Sequence, residues 1–162
     1  MQMDELFLRK AEADDSHELW EWRNHPEIRK WSFTKDPIPF EEHQKWFEQR
    51  MNNSKYLILV ACGEKKQKFG QIRFDIDRKK NIAHVNVHLN PQYFNKGLGS
   101  RIISKGTQFL HKQYPLMKIC AEILIDNVAS QKAFVKNGYV LDGKNEGGGQ
   151  NKQCYYFGAQ VL

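Results

Sequence analysis

Apolar and polar positions recur along this chain with two distinct periods, and the switches between them mark out the elements. Leu6 to Lys10 predicts a short opening strand. Asp14, Asp15 and Ser16 offer N-caps, and Glu18 follows Asp15 in a capping-box arrangement, so a helix is expected from about His17 to Trp22. It should stop at Arg23-Asn24-His25-Pro26, because the residue before a proline is pushed out of the helical region. Ile28 to Pro39, with Ile28, Trp31 and Phe33 as apolar anchors, reads as an ordered loop. Phe40, His43, Phe47 and Met51 then recur at helical spacing and predict a helix over Phe40 to Met51.

The middle of the chain changes period. Tyr56 to Cys62 is a continuous apolar run suited to a buried strand. After a polar turn, Gly70, Ile72, Phe74 and Ile76 alternate with Gln71, Arg73, Asp75 and Asp77, a strand with one wet face. Arg78 to Asn81 turns the chain back into the alternating strand Ile82 to Leu89. Leu98, Ile102, Phe109 and Leu110 line one face of a helix that runs to about His111, and Gly106 on it permits a close approach. Lys118 to Ile125 is the next strand. Asp126 or Asn127 caps a helix that stops at Gly138. Tyr139 to Asp142 and Gln153 to Val161 read as a closing pair of strands joined across the glycine-rich tip Gly147 to Gly149. The order β, α, α, β, β, β, α, β, α, β, β describes an α/β (α+β) mixture on a largely antiparallel sheet, expected as a single domain over residues 1–162.

Composition narrows the class. At 162 residues, 40% hydrophobic and 27% charged, the chain is long enough to bury a proper core and ordinary for a globular protein. No apolar run approaches the roughly 20 residues needed to span a bilayer. Met1 to Arg9 carries Asp4 and Glu5 and lacks the basic start of a signal peptide, so a cytoplasmic location is expected. Cys62, Cys120 and Cys154 are odd in number and sit in or beside strands, as buried apolar residues do. No histidine or cysteine spacing signals a metal site. A net charge of +6 favours an anionic partner, but the lysines are scattered and form no long basic block, which disfavours nucleic acid.

One stretch gives the chain its chemistry. Leu89-Asn-Pro-Gln-Tyr-Phe-Asn-Lys-Gly-Leu-Gly-Ser100 lies between a strand and a helix, with Gly97 and Gly99 one residue apart. A backbone that exposes several N–H groups at a helix N-terminus makes an anion seat.

That turn, on Phe94-Asn95-Lys96-Gly97-Leu98-Gly99, resembles the Gln/Arg-x-x-Gly-x-Gly/Ala signature of the GNAT superfamily of acyl-CoA-dependent N-acyltransferases. Phe94 departs from the usual first polar residue. The run Glu122 to Tyr139, with Asn127, Phe134 and Gly138, is similar to the family's strand, Asn cap, helix and terminal Gly-Phe/Tyr. The resemblance implies a mixed, mostly antiparallel seven-stranded sheet flanked by about four helices, and acetyl-CoA as co-substrate with no metal. It places the coenzyme against Val87, Leu89, Asn95, Lys96, Gly97, Leu98, Gly99, Ser100, Asn127, Ser130 and Phe134. The pantetheine arm would add like a strand where the strands ending near Leu89 and Ile125 diverge.

Acyl transfer to an amine needs an unprotonated nitrogen, a polarised thioester carbonyl and a departing thiolate. By resemblance the carbonyl is polarised by a backbone N–H near Val87 to Leu89. Phe134 stands where the family often has a tyrosine acid, so protonation falls to another group (Tyr139, Tyr155, Tyr156 or water) or is not needed. Glu122, an acid inside an apolar strand, is the first candidate base. His84 and His88 share one face of the preceding strand with Asn86 and are candidate proton relays. An amine with pKa about 8 costs under roughly 1.5 kcal/mol to deprotonate at pH 7, against near 4.6 for lysine at about 10.4. A modest base set fits the weaker amine.

Trp22-Arg-Asn-His-Pro-Glu-Ile-Arg29, Trp31, His43 and Trp46-Phe47 resemble signatures of aminosugar-nucleotide acetyltransferases, closest to the PseH type that acetylates a UDP-linked 4-amino sugar on the route to pseudaminic acid. This implies acceptor contacts from Arg23, Asn24, Arg29, Trp31, His43 and Trp46, with the cations on a diphosphate and a tryptophan on a base or sugar. A protein N-terminal (ribosomal-protein type) or polyamine acetyltransferase, and a non-catalytic acyl-CoA-binding or nucleic-acid-binding module, are the competing readings. An exposed strand edge leaves a homodimer open, and the acceptor and acyl chain are not fixed by sequence.

Overall fold

The computed structural model describes residues 5–142 and 151–158. Strands β1 (Phe7–Lys10), β2 (Tyr56–Cys62), β3 (Lys68–Asp77), β4 (Ile82–Leu89), β5 (Lys118–Leu124), β6 (Val140–Leu141) and β7 (Lys152–Phe157) form one sheet in the order β1-β2-β3-β4-β5-β7-β6. Neighbours are antiparallel except β4 and β5. A parallel pair cannot be closed by a hairpin, and the sixteen-residue helix α4 (Leu98–Gln113) makes the crossover. Helices α1 (Ser16–Asn24), α2 (Pro26–Arg29), α3 (Phe40–Met51) and α5 (Val128–Lys136) are the other α-helices of the described residues, with single tight turns at Ala13–Asp15 and Pro91–Tyr93. The fold is the mixed, mostly antiparallel seven-stranded arrangement expected.

The alternation in β3 and β4 sorts their side chains onto two faces. Ile72, Phe74, Ile76, Ala83 and Val85 turn to the side of α4 and α5, where they join Leu98, Ile102, Leu110 and Phe134 in a large core. On the other face Ile58, Val60 and Cys62 of β2 meet Leu19 and Trp22 of α1 and Phe47 of α3 in a smaller cluster. Gly106 is required where α4 lies on the sheet, because a Cβ there would collide with Ile72 Cδ1. Cys62, Cys120 and Cys154 are free and buried, as their place in strands suggested. Among the described residues no helix is long and apolar enough to cross a membrane.

The front of the chain departs from expectation in two places. Asp15 makes no box with Glu18. Its carboxylate accepts from both Arg9 guanidinium nitrogens, at 2.7 and 2.9 Å, and from the Glu12 amide at 2.7 Å. A bidentate guanidinium outcompetes a single cap bond, so the capping box forms one turn earlier, between Glu12 and Asp15, while Glu18 pairs with Lys68 at 2.7 Å. Secondly, α1 continues past Trp22 to Asn24, and Pro26 opens the short helix α2 where a loop was expected. Proline suits the first helical position, whose N–H has no intrahelical partner. Of the loop's three anchors, Ile28 packs on the smaller cluster. Phe33 is 55% exposed, and its ring lies 5.1 Å from Lys152 Nζ.

At the far end β6 covers only Val140–Leu141, and β7 pairs with both β5 and β6. The glycine tip Gly147 to Gly149 and the expected end of the last strand at Val161 lie outside the described residues.

Candidate active site

Between β4 and α4 the chain makes a turn of bare main chain. Asn90 Oδ1 accepts from the Gln92 amide at 3.1 Å and starts a single tight turn, Pro91–Tyr93. Asn95 and Gly97 then take positive φ of 62° and 73°, the left-handed region that glycine enters without steric cost. Gly97 is the N-cap of α4 and supplies no side-chain cap, so the first amides of a long helix have no side-chain partner at the cap. A Cβ on Gly97 would meet nothing within 4 Å, and one on Gly99 would meet only Leu89 Cδ1 at 3.8 Å. Space therefore lies open over a cluster of N–H groups at the positive end of a helix dipole, an arrangement suited to a pyrophosphate.

The neighbouring residues divide the labour. Leu98 is buried in the larger core and anchors the helix start. Lys96 Nζ stands 5.8 Å from the Tyr93 ring. Ser100 is tied to α5, its Oγ and carbonyl each accepting from Asn137 Nδ2 at 3.0 Å.

Beside this turn the sheet opens. The parallel pairing of β4 and β5 runs from Ile82↔Lys118 to His84↔Cys120 and stops. Val85 to Leu89 consequently face β5 without pairing to it, which leaves a strand edge for an extended ligand to join. Val87 and Leu89 pack their side chains against the larger core. Across the split, Asn127 Oδ1 accepts from the Ser130 amide at 3.2 Å and caps α5. Phe134 does not reach the opening. It is 4% exposed, with its ring in an edge contact with Tyr139 at 4.9 Å. Tyr139 in turn shares a 2.8 Å hydrogen bond with Thr107, and burial pushes its phenol up, so it is committed to the core.

The opposite face of β3 and β4, under α1 and α3, holds a cavity of about 200 Å³. Its polar lining comes from Arg23 of α1, Glu42 and His43 of α3, Gln71 and Arg73 of β3, and His88 of β4. Arg23 donates from Nη2 to the Thr34 carbonyl at 3.1 Å, while its buried Nη1 has no partner. Burial, reinforced by Arg29, lowers its pKa. Arg73 is held by Asp75 at 3.4 Å and lies 4.8 Å from the Trp46 ring. Burial pushes the His43 imidazole down from its ordinary value, helped by Arg73 and Arg23. His88 is lowered further, to about 3, by burial and then by the same two guanidiniums.

The expected acceptor residues divide into lining and frame. Arg23, His43 and Trp46 line the cavity. Trp46 has the guanidiniums of Arg50 and Arg73 within 4.9 Å of its ring. Asn24 and Arg29 hold the main chain of the loop. Asn24 brackets Ile38, donating to its carbonyl at 2.7 Å and accepting from its amide at 2.9 Å. Arg29 donates to the carbonyls of Asn24 at 2.9 Å and Lys35 at 3.2 Å. Trp31 is half-buried beside Lys30 and stands outside the cavity lining. Gln71 and Arg73 were missed as site residues, although their alternation with Ile72 and Phe74 placed them on the polar face. The sequence pattern did not show that helices roof that face.

Of the candidate bases, Glu122 pairs in register with Cys154 and holds an ion pair with Lys152 at 2.8 Å. His84 is exposed, and His88 faces the cavity.

Comparison with known proteins agrees with this geometry. Residues 5–140 match the Acetyltransferase (GNAT) domain family. The chain is 26% identical over 160 residues to the uncharacterised protein MJ1062 of Methanocaldococcus jannaschii, covering 93% of this chain and 30% of that one. It is 25% identical over 124 residues to the acetyltransferase PseH of Campylobacter jejuni, covering 76% of this chain and 75% of PseH. In structure it resembles spermidine N-acetyltransferase from Vibrio cholerae, determined in complex with CoA and spermine, with a TM-score of 0.81 at 18% identity over 93% of this chain and 92% of that one.

Proposed function

The chain belongs to the GNAT acetyltransferase family and is an acyltransferase, and on that premise we propose that it acetylates the amino group of a nucleotide-linked amino sugar of the UDP-4-amino-4,6-dideoxy type, in the cytoplasm. Acetyl-CoA, the family's acyl donor, supplies an activated thioester. The residues present fit it: the open space over Gly97 and Gly99 suits the pyrophosphate, and the free edge of β4 suits the pantetheine arm. Asn95, Lys96 and Ser100 would flank the phosphates, and Asn127 and Ser130 the arm.

On this reading the main chain near Val87 to Leu89 polarises the thioester carbonyl, and Glu122 accepts the proton of the attacking amine. The thiolate, with an ordinary thiol pKa near 8.5, leaves with a proton from water. His84 is too exposed to hold a fixed relay geometry.

The acceptor assignment rests on one observation: Arg23 and Arg73 face the same cavity, and Arg23 Nη1 is buried without a partner. A polyamine would bring further positive charge against two guanidiniums, whereas a diphosphate supplies oxygens for them. Similarity to PseH supports the same acceptor class.

The test is thiol release from acetyl-CoA with a UDP-4-amino sugar, spermidine and an N-terminal peptide as separate acceptors. The sugar nucleotide is expected to be turned over fastest. Turnover of spermidine or peptide alone would reject the acceptor class while leaving the family's chemistry in place.

A further inference from the structure

We propose that Gln71 fixes His88 as its Nε2–H tautomer, so that His88 serves the reaction as a neutral hydrogen-bond donor to a phosphoryl or hydroxyl oxygen of the acceptor. The tautomer rests on the Gln71 amide nitrogen facing His88 Nδ1; the ligand rests on reading the cavity as the acceptor site.

The β3–β4 register sets Gln71 directly opposite His88. Gln71 is 4% exposed, and its Nε2 lies 3.2 Å from His88 Nδ1. An amide N–H donating to Nδ1 requires a lone pair there, which puts the single proton of a neutral imidazole on Nε2. That nitrogen is left for the cavity His88 lines.

The surroundings keep the ring neutral. Gln71 and Arg73 face it from β3, Arg23 from α1, and His43 and Glu42 line the same cavity from α3. Two guanidiniums and burial oppose a second proton, and a single carboxylate, Glu42, is the acid among the described lining residues. A base this weak takes no proton from an amine near neutral pH. Its useful group is the N–H, on a ring that lines the same cavity as Arg23 and Arg73. Such a wall matches an oxygen-rich partner and leaves an ammonium without acceptors. Gln71 is thus a positioning residue, acting through His88.

The experiment has two readouts. Long-range nitrogen–proton NMR of the full-length protein is expected to show the Nε2–H pattern for His88 with no titration between pH 5 and 8. Gln71→Glu, which offers a carboxylate to Nδ1, should bring a His88 titration into that range. An Nδ1–H pattern, or titration of the wild-type ring near its ordinary value, would overturn the lock whatever the acceptor is.

With the amine that the acceptor panel shows to be turned over, Gln71→Leu and His88→Leu should each raise the acceptor KM by about tenfold, more than they lower kcat. His88→Gln, whose amide nitrogen reaches about where Nε2 sits, should recover part of that loss. Unchanged KM in both leucine variants would remove His88 as a binding group while leaving its tautomer intact. Rejection of the sugar nucleotide in the panel would be visible separately, because the NMR result does not depend on it.

Discussion

Lys152 Nζ lies 2.8 Å from Glu122 Oε2 across the β5–β7 ladder, beneath the ring of Phe33. The strand carboxylate is thereby oriented by a neighbour that itself touches the loop after α2. Glu122→Gln should lower kcat by about 100-fold while acetyl-CoA affinity stays within about twofold. Steady-state rates from pH 6 to 8, alongside calorimetric titration of the coenzyme, check this. An unchanged rate across that range would remove Glu122 as the base.

The Asp15 carboxyl gives the fold an acid limit. Burial alone would raise it, yet the Arg9 fork, the Glu12 amide and Lys68 hold it at about 2. A carboxyl lower in the folded than in the unfolded chain adds stability above the unfolded value near 4, and that stability is lost as pH falls toward 2. The contribution is roughly 2 kcal/mol. Asp15→Asn should therefore weaken the protein by about 2 to 3 kcal/mol at pH 7. In urea unfolding the gap between the two proteins should close as pH falls from 4 to 2.

Gly97 separates binding from folding. A β-branched residue at φ 73° costs about 1 to 2 kcal/mol in backbone strain. Its side chain would meet no protein atom near Cβ, only the space above the helix start. Gly97→Val should lower Tm by a few degrees but weaken acetyl-CoA binding tenfold or more, read by calorimetric titration.

Gly106 shows the reverse. Its missing Cβ is what lets α4 settle onto Ile72, far from the open turn. Gly106→Ala should cost about 1 to 3 kcal/mol of stability through overpacking, visible as a lower thermal midpoint. Gly106→Ala combined with Ile72→Val should regain part of the loss, since the shorter side chain drops the Cδ1 atom in the way.

Much of the fold could be read from periodicity, because burial on one face leaves period two in strands and a wider apolar stripe in helices. Phe40–Met51, Tyr56–Cys62 and Ile82–Leu89 end where the pattern said they would. The glycine turn was legible for the same reason that it is open: two positions without side chains before a helix. Local rules failed where a distant partner won. Asp15 looked like an N-cap until Arg9 competed for its oxygens. Arg73 looked like part of a solvated face, and only the packing of α1 and α3 over β3 makes it a buried charge in a cavity. Trp31 and Trp46 were matched to a motif by spacing, and which face of each ring stays free is decided in three dimensions.

The two apolar clusters lie on opposite sides of the sheet, and each carries its own helices. Substitutions at Leu19, Trp22 or Phe47 reshape the cavity roof without touching the residues that seat Leu98 and the open turn. On the proposed reading, donor affinity and acceptor choice become separately heritable traits. A lineage built on this scaffold would then exchange one amine for another by redrawing α1 to α3, and keep its grip on the acyl carrier while doing so.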